Sequence, residues 1–161
     1  MSSSASAVRI LLANHQPIVR SGLRILLEHE AEFQIVAEAA NGREALALAE
    51  FRRPAIVLLE IELPEVKGIA VAKLLSSASY APRIIFVTAR TDIVYVIEAF
   101  RAGARGFVAG DSASMDLAMA IRAVAAGGLF VSPEIRVKLA GICLSTEAVP
   151  EPVSRYLKQN C

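Results

Sequence analysis

Five positions in the chain are of a type and placement that could do chemistry: Asn14, His15, Glu60, Thr88 and Gly110. Each stands at or just beyond the carboxyl end of a short apolar run, where an open α/β sheet collects its ligands. Glu60 and His15 suit a charge pair that needs no bound ion, because opposite charges favour each other's ionised forms. Plainer readings stand beside that one. His15 also fits a solvated loop, Glu60 a strand-end carboxylate accepting backbone N–H groups, Thr88 a cap on the following turn, and Gly110 a turn glycine. Glu and His are transition-metal ligand types, but two ligands are too few for a site. The sequence offers no nucleophile–base pair, no phosphate-cradling glycine loop and no ligand cluster, so neither an enzyme nor a bound cofactor or metal is expected.

The apolar pattern dictates the elements that must position these residues. Val8 to Ala13 is short, apolar and β-branched, a buried strand. Pro17 suits a first helical turn, and Val19, Leu23, Leu26 and Leu27 follow at helical spacing. Phe33–Ala37 reads as a strand, Gly42–Phe51 as a helix, and Ile56–Leu59 as a central strand covered on both faces. A helix from Gly68 to Ser77 and a strand from Arg83 to Val87 come next. Ile93, Val96, Ile97 and Phe100 then form a helical stripe with Thr91-Asp92 as its cap, stopped by Gly103. Gly106–Ala109 is a strand, and Leu117, Ala120, Ile121 and Val124 stripe a fifth helix ending at Gly127-Gly128. Five strand–helix pairs imply an open parallel sheet with helices on both faces. In segment 132–161, Ser132-Pro133 reads as the start of one short helix carrying Ile135, Leu139, Ile142 and Cys143 on one face. A loose end follows, weakly anchored by Tyr156-Leu157. Residues 1–7 are expected to be disordered, 8–131 to form the domain, and 132–161 to be a helix and tail.

Composition narrows the classes. Hydrophobic residues make up 55% and charged residues 20%, ample apolar surface to offset the entropy of ordering. The formal net charge is +1, with no basic block of the kind that releases counterions from nucleic acid. No apolar run is long enough to span a bilayer, and the polar start lacks a secretion signal, so a cytoplasmic protein without membrane contact is expected. Cys143 and Cys161 have no metal or redox spacing and are read as reduced thiols.

Four segments carry a resemblance: Ile10-Leu11-Leu12-Ala13-Asn14-His15-Gln16-Pro17-Ile18-Val19-Arg20-Ser21-Gly22-Leu23, Ala39-Ala40-Asn41-Gly42-Arg43-Glu44-Ala45, Ile56-Val57-Leu58-Leu59-Glu60-Ile61-Glu62-Leu63-Pro64 and Ala102-Gly103-Ala104-Arg105-Gly106-Phe107. In order and spacing they resemble the response-regulator receiver family of two-component signalling, close to its NarL/FixJ subgroup, over Val8 to Pro133. The resemblance implies a flavodoxin-like (βα)5 fold, a doubly wound five-stranded parallel sheet of order 2-1-3-4-5, with a short C-terminal helix added. It also implies a pocket in which two acids hold Mg²⁺, an aspartate accepts a phosphoryl group, and a hydroxyl and a lysine grip the phosphate. Here Asn14 and His15 stand at the acidic pair, Glu60 at the acceptor, Thr88 at the hydroxyl, Gly110 at the lysine, and Phe107 at the aromatic switch. Phe107, lying on a strand, also reads as a core residue.

Those exchanges argue against the family reaction. Mg²⁺ prefers hard oxygen ligands including one or two carboxylates. Glu60 is one methylene longer than aspartate, and a misplacement of about 1 Å can cost on the order of 10²-fold in a positioned reaction. Without the lysine, developing phosphate charge has no partner. The expectation is a pseudo-receiver acting by protein contact, with Glu60 resembling a charged, activated state. Its partner is a sensor kinase, another regulator or a second copy, engaged through the fourth and fifth helices or the first. Tyr95, Arg101 and Arg105 are the surface residues singled out. The alternative is the receiver part of a NarL/FixJ-type transcription regulator. Segment 132–161, with Arg136, Lys138, Arg155 and Lys158 against Glu134, Glu147 and Glu151, is too short and too neutral to read DNA, so no DNA binding by this chain is expected. An altered but active phosphoacceptor is the third reading.

Overall fold

The computed structural model describes residues 7–141 and 150–159. The expectations for the first six residues, for Ile142 and for both cysteines fall outside them. The described elements are β1 (Val8–Ala13), α1 (Pro17–Glu28), β2 (Phe33–Ala39), α2 (Gly42–Arg52), β3 (Ile56–Leu59), α3 (Gly68–Ser76), β4 (Arg83–Thr88), α4 (Ile93–Arg101), β5 (Gly106–Ala109), α5 (Ala113–Ala125), β6 (Phe130–Val131), α6 (Pro133–Ala140) and α7 (Glu151–Gln159). All pairings are parallel, in the order β2-β1-β3-β4-β5-β6.

Alternation along the continuous apolar strands explains why both faces must be covered. Leu11, Val57, Leu59, Phe86 and Phe107 point to the face packed by α2, α3 and α4. Ile10, Leu12, Ile56, Leu58 and Ile85 point to the face packed by α1 and α5. Local signals start and stop the helices. Asn41 caps α2 by accepting from Glu44 N at 2.8 Å, while Glu44 Oε1 accepts from Ala40 N at 2.8 Å, a reciprocal capping box. Gly103, at φ 103°, and Gly127, at φ 97°, end α4 and α5 in the left-handed region, where a side chain would be strained.

Three expectations need correction. The sheet has six strands, because Phe130 and Val131 add to the β5 edge opposite Gly106 and Phe107; two residues are too short to show a period. The end of the chain is not loose at 151–159, where α7 buries Val153 and Leu157 in the core. Asp92 and Ser132 occupy the N-cap positions of α4 and α6, yet neither side chain makes a cap hydrogen bond.

Candidate functional site

The carboxyl ends of β1, β3, β4 and β5 place Asn14, Glu60, Thr88 and Gly110 along one edge of the sheet. The register Ala13 with Leu59, Leu59 with Phe86, and Thr88 with Ala109 fixes this order. Glu60 N donates to Ala13 O at 3.1 Å, so Glu60 abuts the strand end that leads into Asn14.

Glu60 and Thr88 are in direct contact. Thr88 Oγ1 donates to Glu60 Oε2 at 2.5 Å, and the same oxygen accepts from Ile61 N at 2.7 Å and Glu62 N at 3.2 Å. Thr88 is 2% exposed, and its hydroxyl also accepts from Arg90 N at 3.0 Å. One carboxylate oxygen therefore holds both the start of the β3–α3 loop and, through Thr88, the β4–α4 loop. Charge-assisted bonds of this kind are among the stronger ones.

Asn14 is buried at 3% exposure. Its Oδ1 accepts from Gln16 N at 2.8 Å, and its main-chain oxygen accepts from Arg20 Nη1 at 2.6 Å. Arg20 and Arg24 both pair with Glu38. Asn14 thus serves the turn into α1. His15 is exposed, and it makes no ion pair with Glu60 among the described contacts. The expected His15–Glu60 pair is not formed, and the solvated-loop alternative describes His15. The physical reason is that Glu60 is already bound inward by three donors.

Gly110 opens a short 3-10 turn, Gly110–Ser112, and lacks positive φ. An added Cβ would meet Thr88 C and O at 3.4 Å, ordinary contact, so the turn does not require glycine there. Phe107 is fully buried against Phe86, with ring centroids 6.2 Å apart, and occupies the core. Tyr95, Arg101 and Arg105 do not share one face. Half-buried Tyr95 lies under Arg90, whose guanidinium is 5.7 Å from the ring centroid. Arg101 and Arg105 line a cavity beside α7 at the opposite end of α4.

Two residues at this edge escaped the sequence reading. Arg90 pairs with Glu62 at 3.7 Å across the mouth, a half-exposed contact worth little by itself; its only signal is the position two residues beyond Thr88. Ser132, noticed only as a helix start, is fully buried. Its Oγ accepts from Ala109 N at 3.1 Å and donates to Asp116 Oδ2 at 3.0 Å, fixing β5 next to Gly110.

The donor set does not suit Mg²⁺. The Asn14 amide oxygen and the Glu60 Oε2 oxygen are already engaged by protein donors, and His15 points to solvent. Among the described residues, no group of three His, Cys, Asp or Glu side chains is placed to hold a metal. No described helix is long and apolar enough to cross a membrane.

Comparison with known proteins shows the family and the fold. The family profile described as the response regulator receiver domain matches residues 10–122. The transcriptional regulatory protein YxjL of Bacillus subtilis is 35% identical over 120 residues, covering 74% of this chain and 55% of that protein. The transcriptional regulatory protein UhpA of Escherichia coli is 35% identical over 133 residues, covering 83% of this chain and 66% of that protein. The crystal structure of a LuxR-family two-component response regulator from Aurantimonas superposes with a TM-score of 0.82 at 35% identity, covering 86% of this chain and 99% of that one. The chain therefore spans 55% to 66% of the length of these two curated relatives.

Proposed function

Since the chain belongs to the response-regulator receiver family, we propose that it is a receiver of the NarL type that works by protein contact without Mg²⁺-dependent phosphorylation of an aspartate, a pseudo-receiver. The observation that carries this reading is the Thr88 Oγ1 to Glu60 Oε2 hydrogen bond at 2.5 Å. An acceptor carboxylate must be free to attack phosphorus, and its hydroxyl neighbour must be free to grip the product. Here each occupies the other. The longer Glu60 side chain does for Thr88 what a bound phosphoryl oxygen would do, holding the hydroxyl and the β4–α4 loop inward. The roles that the family assigns to Asn14, His15 and Gly110 are, on this reading, vacated. The partner is a protein: a sensor kinase, another regulator or a second copy.

The test is intact-mass measurement after incubation with acetyl phosphate and Mg²⁺. No added phosphoryl group is expected, whereas the variant combining Asn14→Asp, His15→Asp, Glu60→Asp and Gly110→Lys should gain one. A stable phosphoryl adduct on the unaltered chain, mapped to Glu60, overturns the reading. A second reading is supported by the relatives' greater length and their description as transcriptional regulators: the receiver acts beside a DNA-reading module. It shares the same pocket prediction and differs in the output.

A further inference from the structure

The edge of the sheet opposite the pocket carries a charge pattern that the sequence disperses. Arg9 lies at the amino end of β1, Arg52 and Arg53 lead into β3, Arg83 opens β4, and Arg105 precedes β5. These four strands are adjacent. Main-chain bonds tie the row together: Ala55 N to Arg9 O, Arg83 N to Ala55 O, and Arg105 N to Ile84 O. Strands about 4.8 Å apart make a row of roughly 14 Å.

None of these five arginines has a carboxylate partner among the described residues. Arg20, Arg24, Arg43, Arg90, Arg122 and Arg155 do. A structural role accounts for part of the row. Arg53 Nε donates to Glu50 O, and Arg83 Nη1 donates to Val124 O and Ala125 O, capping the ends of α2 and α5. Helix carboxyl ends carry about half a negative charge each. The five helices α1 to α5 all end at this edge, each just before the next strand begins, and together offset about half of the five positive charges. The remainder is unbalanced in a chain whose net charge is only +1.

At the β5 end the row runs into a cavity of about 610 Å³, with Arg105 on its rim and Phe100, Ala104, Leu129, Val153 and Tyr156 in its wall. Cationic rim and apolar wall together suit one kind of partner. We infer that this edge binds an acidic segment of a partner protein, one that lays carboxylates along Arg9, Arg53 and Arg105 and seats one bulky apolar side chain in the cavity. This rests on the proposed function only for the partner being a protein. Charge complementarity of this kind sets partner choice and association rate. A nucleic-acid backbone or an anionic membrane would use the charges and leave the apolar cavity without a role.

The experiment is fluorescence anisotropy of the full chain with a labelled Glu-rich peptide carrying one central Phe, at low salt. Binding is expected, and it should weaken on raising salt. It should fall about tenfold or more in Arg105→Glu, whose side chain caps no helix, and severalfold when the peptide Phe becomes Ser. Circular dichroism melts establish that the variant is folded. Unchanged affinity in the charge-reversed variant, no binding at low salt, or tighter binding of duplex DNA or phosphatidylserine vesicles than of the peptide would each overturn the inference. Failure here leaves the phosphorylation test untouched, because that test reads Glu60 at the other edge.

Discussion

Thr88 Oγ1 and Glu60 Oε2 lie 2.5 Å apart at the carboxyl ends of β4 and β3. The contact joins the β3–α3 loop, held through Ile61 N and Glu62 N, to the β4–α4 loop, held through Arg90 N. Much of the behaviour expected of this domain follows from that one oxygen.

Removing the Glu60 carboxylate leaves three donors without their acceptor: Ile61 N, Glu62 N and the Thr88 hydroxyl. Glu60→Ala should therefore cost about 1–3 kcal/mol in urea unfolding, the range for stranding partly buried polar groups. Amide exchange should quicken in the β3–α3 and β4–α4 loops. An unchanged midpoint would show that water replaces the carboxylate without penalty.

Thr88→Val keeps the shape and deletes the hydroxyl. It removes the bonds to Glu60 and from Arg90 N, and a loss of about 1–2 kcal/mol is expected. The NMR signals of Arg90 and Tyr95 should shift most, since the Arg90 guanidinium lies over the Tyr95 ring. Shifts confined to residue 88 and its strand neighbours would count against coupling between the pocket and α4.

Gly68 sets the close approach of α3 to the site. A Cβ there would lie 2.2 Å from Glu60 O and 2.9 Å from Ile61 Cα, so Gly68→Ala forces backbone apart at the residue that carries the carboxylate. Overpacking of this kind costs about 1–3 kcal/mol or more. Gly110→Ala meets only ordinary contacts and should be tolerated within about 0.5 kcal/mol. Thermal melts of the two variants, compared directly, check the contrast.

The last helix is a docked element. Leu157 and Val153 are 1% and 3% exposed. Leu157→Ala should cost about 2–4 kcal/mol if α7 stays docked, or release α7 so that limited proteolysis cuts near residue 150. A variant as stable and as protease-resistant as the unaltered chain would show that α7 does not pack on the core in solution.

Acid sensitivity should have a contribution from the α1–β2 turn. The Arg122 guanidinium, hydrogen-bonded to Glu32, holds that carboxyl below its ordinary value of 4.5. A folded-state pKa below the unfolded one means stabilisation that is present above the unfolded value and lost as pH falls through the folded one. The loss should thus begin near pH 4.5 and continue below it. Carboxyl NMR titration should return Glu32 to its ordinary value in Arg122→Gln, and an unmoved titration would refute the pairing in solution.

Residue order alone determined the alternating architecture, because continuous apolar runs such as Ile56–Leu59 can only be buried on both faces. It also fixed the turns at Gly103 and Gly127, and that Asn14, Glu60, Thr88 and Gly110 follow the carboxyl ends of neighbouring strands. It could not decide what those residues touch. His15 and Glu60 are complementary in type, yet Glu60 is satisfied by Thr88 and two backbone N–H groups, so the pair does not form. The two-residue β6 was illegible because it is too short to show a period; α7 was passed over because Pro150 and Pro152 read as breaks, although Val153, Tyr156 and Leu157 stand at helical spacing. Arg9, Arg53 and Arg105 are more than forty residues apart in sequence, and only parallel strand pairing brings their strands into one row.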